Sequence, residues 1–297
     1  MSRVLLTGAS GFIGRPTLSA LLEAGHEVHA LALRRGEEIP GVTWHEVDLL
    51  GGCEVLGDVE PEVLVHLAWY VEHGEFWSSP ENVRWVEASL SLLRAFAAAG
   101  GQRALMMGTC AEYAWSREVY AEDAPLAPAT LYGASKHGLH VVASAFAEQA
   151  GISLAWVRPF LLYGPFEAQG RFVPSLILPL LRGEPARMTE GSSRRDLLHV
   201  SDAGAAIAAL AASPISGPVN LASGIGVTLR DVGERIASIC GAEELLAVGA
   251  IPIRAQEPPS LVADVGRLER ELGFSPRISL DDGLRDTVTW WRERSLG

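Results

Sequence analysis

The chain has 297 residues, 48% of them hydrophobic, and a formal net charge of −12. That length accommodates one large α/β domain, or one domain with a smaller lobe, and the acidic balance argues against nucleic acid and anionic membranes as partners. No apolar run reaches the roughly 20 residues of a membrane helix, and three widely spaced cysteines (Cys53, Cys110, Cys240) with eight histidines in no HExxH-like pattern argue against a disulfide framework and a metal.

In chain order, strand-like runs cover Arg3–Thr7, Glu27–Leu33, Val42–Asp48, Val63–Ala68, Arg103–Thr109 and Ser153–Arg158. The first begins almost at Met1, without the apolar core and cleavage site of a signal peptide, so a cytoplasmic location is expected. Between the runs lie amphipathic stretches. Gly14–Ala24 carries Leu18, Leu21 and Leu22, with Gly25 placed as a C-cap. Trp85–Ala99 and Leu131–Gln149 space their apolar residues by three and four. Further on, Asp202–Ala212 reads as a small-residue helix and Val219–Leu221 as a short strand. Thr228 with Asp231 forms a capping pattern ahead of Leu229, Val232, Ile236 and Ile239, and a last helix starts near Ser279. Alternating β and α segments predict an α/β fold with a doubly wound parallel sheet of Rossmann type. The expected division is 1–163 with a return segment near 195–225 for the dinucleotide domain. A smaller, interleaved α/β substrate lobe would take 164–194 and 226–297.

The first strand runs into Thr7-Gly8-Ala9-Ser10-Gly11-Phe12-Ile13-Gly14 and then a helix. This GxxGxxG turn has the mechanics of a dinucleotide cradle. Gly8 permits the tight turn, Gly11 lets a pyrophosphate approach the backbone, and Gly14 allows close helix–strand packing. Ser10, Phe12 and Ile13 lead into a helix N-terminus that offers N–H groups to phosphate. NAD binders carry an acid about 20 residues beyond the glycines, where it bonds the ribose 2′-OH. Here the second strand closes on Ala32-Leu33-Arg34-Arg35, with no acid. Arg34 and Arg35 suit a 2′-phosphate, which favours NADP and leaves NAD possible; the alternative is a solvated loop pair.

Tyr132 and Lys136, four residues apart, share a face of one helix. A cation beside a phenol favours phenolate, so Lys136 is expected to draw Tyr132 down from its reference pKa of about 10 toward neutrality. Thr109 ends the fifth strand at the carboxyl edge of the sheet, where such sheets bind ligands.

Together these features resemble the short-chain dehydrogenase/reductase superfamily in its extended, sugar-nucleotide-modifying branch (the NAD-dependent epimerase/dehydratase family). Further segments share the resemblance: Val47-Asp48-Leu49, His66-Leu67-Ala68, Thr109 through Tyr113, Arg158-Pro159-Phe160, Tyr163-Gly164-Pro165 and Arg195-Asp196-Leu197-Leu198-His199-Val200. It implies that Tyr132 exchanges a proton with the substrate oxygen, that Lys136 holds the nicotinamide ribose, and that Thr109 orients the oxygen. It implies further cofactor contacts from Asp48, Leu49, Leu67, Ala68 and Phe160. Arg195 and Arg254 would clamp a sugar-nucleotide diphosphate, with Arg187 and Arg194 adding charge. Phe172, Phe166, Arg171 and Trp69 or Tyr70 are candidates for the sugar pocket.

The 4,6-dehydratases of that branch carry Asp and Glu directly after the active-site Thr. Here Cys110 and Ala111 stand there, and Glu112, if on a strand, points to the other face. The favoured activity is therefore NADPH-dependent reduction of a 4-keto-6-deoxy sugar nucleotide. The alternatives are a 4-epimerase retaining NAD, a reductase of a small non-nucleotide ketone, and a non-catalytic nicotinamide-binding regulator. The resemblance also implies a homodimer through helices 85–99 and 131–149, with Trp85, Leu92, Leu139, Val141 and Val142 as candidate contacts.

Overall fold

A computed structural model describes residues 1–52, 56–252 and 258–295 of the chain. The first half gives β1 (Arg3–Thr7), α1 (Gly14–Glu23), β2 (Glu27–Ala32), β3 (Val42–Glu46), α2 (Leu56–Val59), β4 (Val63–His66), α3 (Glu81–Ala98), β5 (Arg103–Met107), β6 (Val119–Tyr120), α4 (Leu131–Ala150), β7 (Ser153–Pro159) and β8 (Leu161–Tyr163). The second gives α5 (Phe172–Leu181), β9 (Ala186–Arg187), β10 (Arg194–His199), α6 (Val200–Ala212), β11 (Gly217–Leu221), β12 (Gly226–Thr228), α7 (Leu229–Cys240), β13 (Leu246–Ala247), β14 (Ser260–Ala263), α8 (Gly266–Arg270) and α9 (Leu280–Ser295).

The main sheet has seven parallel strands in the order β11-β7-β5-β4-β1-β2-β3. The direction of winding reverses between β1 and β4, so a crevice opens at their carboxyl ends, where doubly wound sheets bind nucleotides. Apolar side chains alternate to both faces of these strands. Val4, Leu6, Val28 and Ala30 join one core, which also takes Leu18 and Leu21 of α1 and Ala203 and Ile207 of α6. Leu5, Leu31, Leu64 and Met106 join the other, under α3 and α4. Helices α1 and α6 cross closely because Gly204 has no Cβ, which would strike the Pro16 backbone.

A second, mixed sheet runs β12-β10-β14-β6, with β8 paired to β10. A third core of α5, α7 and α9 residues, including Leu176, Ile236 and Trp291, packs beside it. Among the described residues, no helix is long and apolar enough to cross a membrane.

Several boundaries differ from the sequence expectation for physical reasons. α3 starts at Glu81 rather than Trp85; its first turn is polar, so the apolar spacing does not announce it. β2 stops at Ala32, and Leu33 is 74% exposed. β5 stops at Met107, and Thr109 begins a single 3₁₀ turn over Cys110–Glu112 instead of extending the strand.

Candidate active site

The glycine turn is built as its spacing predicts. Gly8 has φ +72°, and a Cβ there would lie 3.0 Å from the Ala68 amide nitrogen. A Cβ on Gly14 would drive into the Gly8 carbonyl, so α1 rests directly against the end of β1. The Gly11 amide donates to the Gly8 carbonyl at 3.0 Å. Ser10 and Gly11 are exposed, Phe12 and Ile13 partly so. Ile13 is the N-cap and no side chain caps α1. The Arg15 amide donates to the Gly11 carbonyl at 3.1 Å, and a glycine turn that leads into a helix N-terminus without a side-chain cap fits a pyrophosphate.

The neighbouring strand end is fixed to this turn by polar bonds. Ala68 N donates to Thr7 Oγ1 at 3.2 Å, and Thr7 Oγ1 shares a 2.8 Å bond with His66 Nδ1. His66 Nε2 meets Ser89 Oγ at 2.8 Å, and burial holds the imidazole down to about 3, so it stays neutral.

At the end of β2, Arg34 and Arg35 are both exposed. Arg35 lies 3.6 Å from Glu38, and its amide donates to Glu46 Oε1 at 3.0 Å. Glu46 closes β3 and pairs in register with Ala32. The β2 end itself carries no acid, as read from the sequence, but the neighbouring strand supplies a carboxylate to the same rim. Only the pairing register reveals it. Asp48 is exposed, bonding the Leu50 amide at 3.0 Å, and Leu49 is buried. Phe160 is buried in the first core against Tyr113.

Thr109, Tyr132 and Lys136 converge at the carboxyl edge of the sheet. Thr130 caps α4, its hydroxyl accepting from the Gly133 amide at 3.1 Å. Gly133 brings that first turn down onto the 3₁₀ turn; a Cβ would meet the Ala111 carbonyl at 2.5 Å. That places Tyr132 on the same rim as Thr109, whose side chain acts to lower the phenol. Phe76 and Trp77 pack edge-on against the phenol ring, with centroids at 4.9 and 5.8 Å.

Lys136 is the only lysine in the chain; every other basic residue besides histidine is arginine. It is 3% exposed, donates to the Met107 carbonyl at 2.7 Å and sits 3.6 Å over the Trp69 ring. The expected lowering of Tyr132 is overturned. Burial pushes the phenol up to about 12 against the lowering effect of the Thr109 side chain, and burial pulls Lys136 down to about 7. Helical spacing sets which groups share a face, but desolvation sets their protonation.

Glu112 is also corrected. It lies on the 3₁₀ turn, not a strand, and is fully buried in an ion pair with Arg158 at 3.0 Å. Its carboxylate gathers with His137 and His140, their ligand atoms within 4.8 Å of one another. Arg158 already supplies the cation there, at 3.4 Å from His140 Nδ1.

The substrate-side candidates separate. Arg195 is 4% exposed, donates to the Arg194 carbonyl at 2.8 Å and acts electrostatically on Cys110. Arg194 bonds the Gly226 carbonyl and Arg187 the Ala250 carbonyl, both on the surface. Arg254 and Cys53 lie outside the described residues. Phe172 packs against the third core. Phe166 stacks beneath Arg15 at 4.4 Å. Trp69 donates to Asn82, and Tyr70 donates to Glu75. Arg171 stands over the Phe76 ring at 5.8 Å and acts electrostatically on both Tyr132 and Glu167. Glu167 escaped notice in the sequence; it is 6% exposed and raised to about 8 by burial. A separate cavity of about 710 Å³, lined by Tyr163, His199, Asp264 and Arg277, shares no residue with the Thr109–Tyr132–Lys136 set.

The family model described as "NAD dependent epimerase/dehydratase family" matches residues 4–226. The chain belongs to this family. It is an enzyme of the extended short-chain dehydrogenase/reductase type. Among relatives in the epimerase/dehydratase family, it is 30% identical to a UDP-glucose 4-epimerase of Azospirillum brasilense, over 99% of this chain and 94% of that one. It is 31% identical to a dTDP-glucose 4,6-dehydratase of Streptomyces niveus, over 63% of this chain; there the match spans about half of the relative, 54%. Two solved structures are similar along their whole length. MoeE5 in complex with UDP-glucose and NAD is 31% identical, covering 99% of this chain and 100% of that one with a TM-score of 0.87. TunA, an NAD-dependent NDP-hexosamine 5,6-dehydratase, is 30% identical, covering 99% of each chain with a TM-score of 0.86.

The lone lysine of this epimerase/dehydratase family member has a cost in stability. Its folded value, about 7, lies below the ordinary 10.5. The unfavourable charging is complete below pH 7 and fades as pH rises toward 10.5. Lys136→Met is therefore expected to stabilise the fold by on the order of 1–3 kcal/mol near pH 6, after loss of the Met107 bond and the Trp69 contact. The gain should shrink by pH 9. Thermal melts at the two pH values check it; an equal gain, or a loss at pH 6, contradicts it.

Proposed function

We propose that the chain transfers a proton and a hydride at C4 of a nucleotide-linked sugar, in the direction of net reduction of a 4-keto-6-deoxy sugar nucleotide. The observation that carries this is the placement of Tyr132 beside the Thr109 turn and one helical turn before Lys136, with neither Asp nor Glu at positions 110 and 111. Reduction consumes the protonated phenol, so the resting site is already charged with the proton it must give.

The glycine turn and α1 would hold the dinucleotide through its pyrophosphate, and Lys136 would bond the nicotinamide ribose. The bound dinucleotide supplies the hydride. Thr109 fixes the substrate oxygen. Tyr132 donates its proton to that oxygen, and Lys136 stabilises the phenolate left behind. Phe76 and Trp77 hold the ring by edge contacts. Arg195 is the diphosphate ligand in this scheme, with Arg254 as its proposed partner. The exposed α3 and α4 residues Val83, Val141 and Val142 support a homodimer, whereas Leu92 and Leu139, sequence candidates for that contact, are core residues at 0 and 1% exposure.

A second reading, 4-epimerisation with retained NAD, is supported by the Azospirillum brasilense relative and by the Glu46 carboxylate. The cofactor separates the two. Arg34 and Arg35 support NADP, while Glu46 and the NAD held by MoeE5 support NAD. Incubation with NADPH or NADH and a panel of 4-keto-6-deoxy sugar nucleotides is expected to consume nicotinamide absorbance at 340 nm, with NADPH preferred. No consumption, together with NAD retained through purification and interconversion of UDP-glucose with its C4 epimer, would establish the second reading instead.

A further inference from the structure

Beneath the strand end that carries Thr109 lies a buried anion which the scheme above leaves idle. Glu112 Oε1 accepts from the Thr109 amide at 2.9 Å and from Trp156 Nε1 at 2.9 Å. Oε2 accepts from Arg158 Nε at 3.0 Å. Arg158 continues to the Tyr113 hydroxyl and the Glu122 carbonyl, each at 3.2 Å, and Tyr113 donates to Asn220 at 2.7 Å. Gly108 leaves room for this pair, since a Cβ there would collide with both Trp156 Nε1 and Glu112 Oε1. Stability alone does not account for a buried ion pair, because well-packed apolar residues of similar volume commonly do as well or better.

The elements around Lys136 show what the carboxylate adds. β5 offers the Met107 carbonyl, and the segment after β4 offers the Trp69 ring. β4 offers His66, held neutral by burial and by the nearby Lys136. On α4 itself stand Tyr132, kept protonated, and His137 and His140, which flank Glu112; burial and Arg158 hold His140 down to about 4. Glu112 is the group that favours charge on Lys136, against the pull of burial.

We propose that Glu112 is a positioning residue of the reaction: its buried carboxylate, locked by Trp156 and Arg158, fixes the Thr109 backbone at the sheet rim and supplies the counter-charge for the Lys136 ammonium. This role depends on Thr109, Tyr132 and Lys136 being the catalytic set, since Glu112 acts only through them.

The single lysine makes the test direct. Protein grown with [ζ-15N]lysine carries one side-chain amine label, whose NMR titration reports Lys136 without reference to turnover. The parent midpoint is expected near 7. Glu112→Gln keeps the shape and an accepting oxygen but removes the charge, so the midpoint should fall by at least about one pH unit. The alkaline limb of turnover with NADPH and a 4-keto-6-deoxy sugar nucleotide should move down with it. Should that variant not fold, the neutral pair Glu112→Gln/Arg158→Met should lower the midpoint in the same direction but by less, since loss of the Arg158 cation works the other way; an unmoved midpoint there also overturns the Glu112 role. An unmoved Lys136 midpoint in a folded Gln variant, with turnover lost in Tyr132→Phe, overturns the Glu112 role alone. Retained turnover in Tyr132→Phe overturns the catalytic scheme and the Glu112 role with it.

Discussion

Tyr132→Phe is expected to lower turnover by roughly 10²–10⁴-fold, the range associated with losing one positioned proton carrier. The phenol oxygen is the only atom removed. The ring keeps its edge contacts with Phe76 and Trp77, the backbone bond from Tyr132 N to the Trp77 carbonyl stays, and Gly133 still seats α4 on the 3₁₀ turn. The glycine turn lies on other strands, so dinucleotide affinity should change by less than about threefold, under 1 kcal/mol. Single-turnover rates and fluorescence titration with NADPH check the two halves. A variant turning over within a few-fold of the parent would remove Tyr132 from the chemistry, and lost cofactor binding would show that the substitution had disturbed the fold instead.

Arg158→Met should destabilise the protein by about 3–5 kcal/mol, because it strands a carboxylate that is wholly out of water. Glu112 would keep Trp156 Nε1 and the Thr109 amide as donors but lose its counter-ion, and the Tyr113 hydroxyl would lose a donor. The loss is asymmetric: removing both charges together should cost far less than removing Arg158 alone. Urea unfolding of the two single variants and the double variant measures the coupling. A single-variant loss below about 1 kcal/mol, the scale of a surface pair, would contradict the burial on which this expectation rests.

How far the sequence could be read depends on the range of the interaction involved. β1 is a local run of apolar residues ending in glycines, and its bounds and the Gly8–Gly14 contact follow from local rules. α4 is similar, with a threonine cap and a Tyr–Lys pair one turn apart. Thr109 shows where local rules conflict. Strand alternation continues it past Met107, yet Thr109 with Glu112 is a capping box, and the box prevails because Trp156 and Arg158, more than 40 residues away, hold the carboxylate. Glu46 reaches the β2 rim only through strand pairing, which no spacing reveals. Leu92 and Leu139 illustrate a further limit: an apolar stripe looks the same whether it meets its own core or a second subunit. The protonation of Tyr132 and Lys136 is likewise set by burial, and burial is a property of the assembled sheet and helices.

The central claim is that the carboxyl edge of the main sheet, where β1 and β4 part, binds the dinucleotide and presents its nicotinamide to Tyr132. A crystal structure of the protein with NADPH and a non-reacting sugar nucleotide tests it most directly. The pyrophosphate should lie against the Gly8–Gly14 turn, with the sugar C4 oxygen within roughly 2.6–3.2 Å of the Tyr132 hydroxyl. A dinucleotide seated elsewhere, such as the cavity beside His199, or a Tyr132 hydroxyl turned from the nicotinamide, would contradict it.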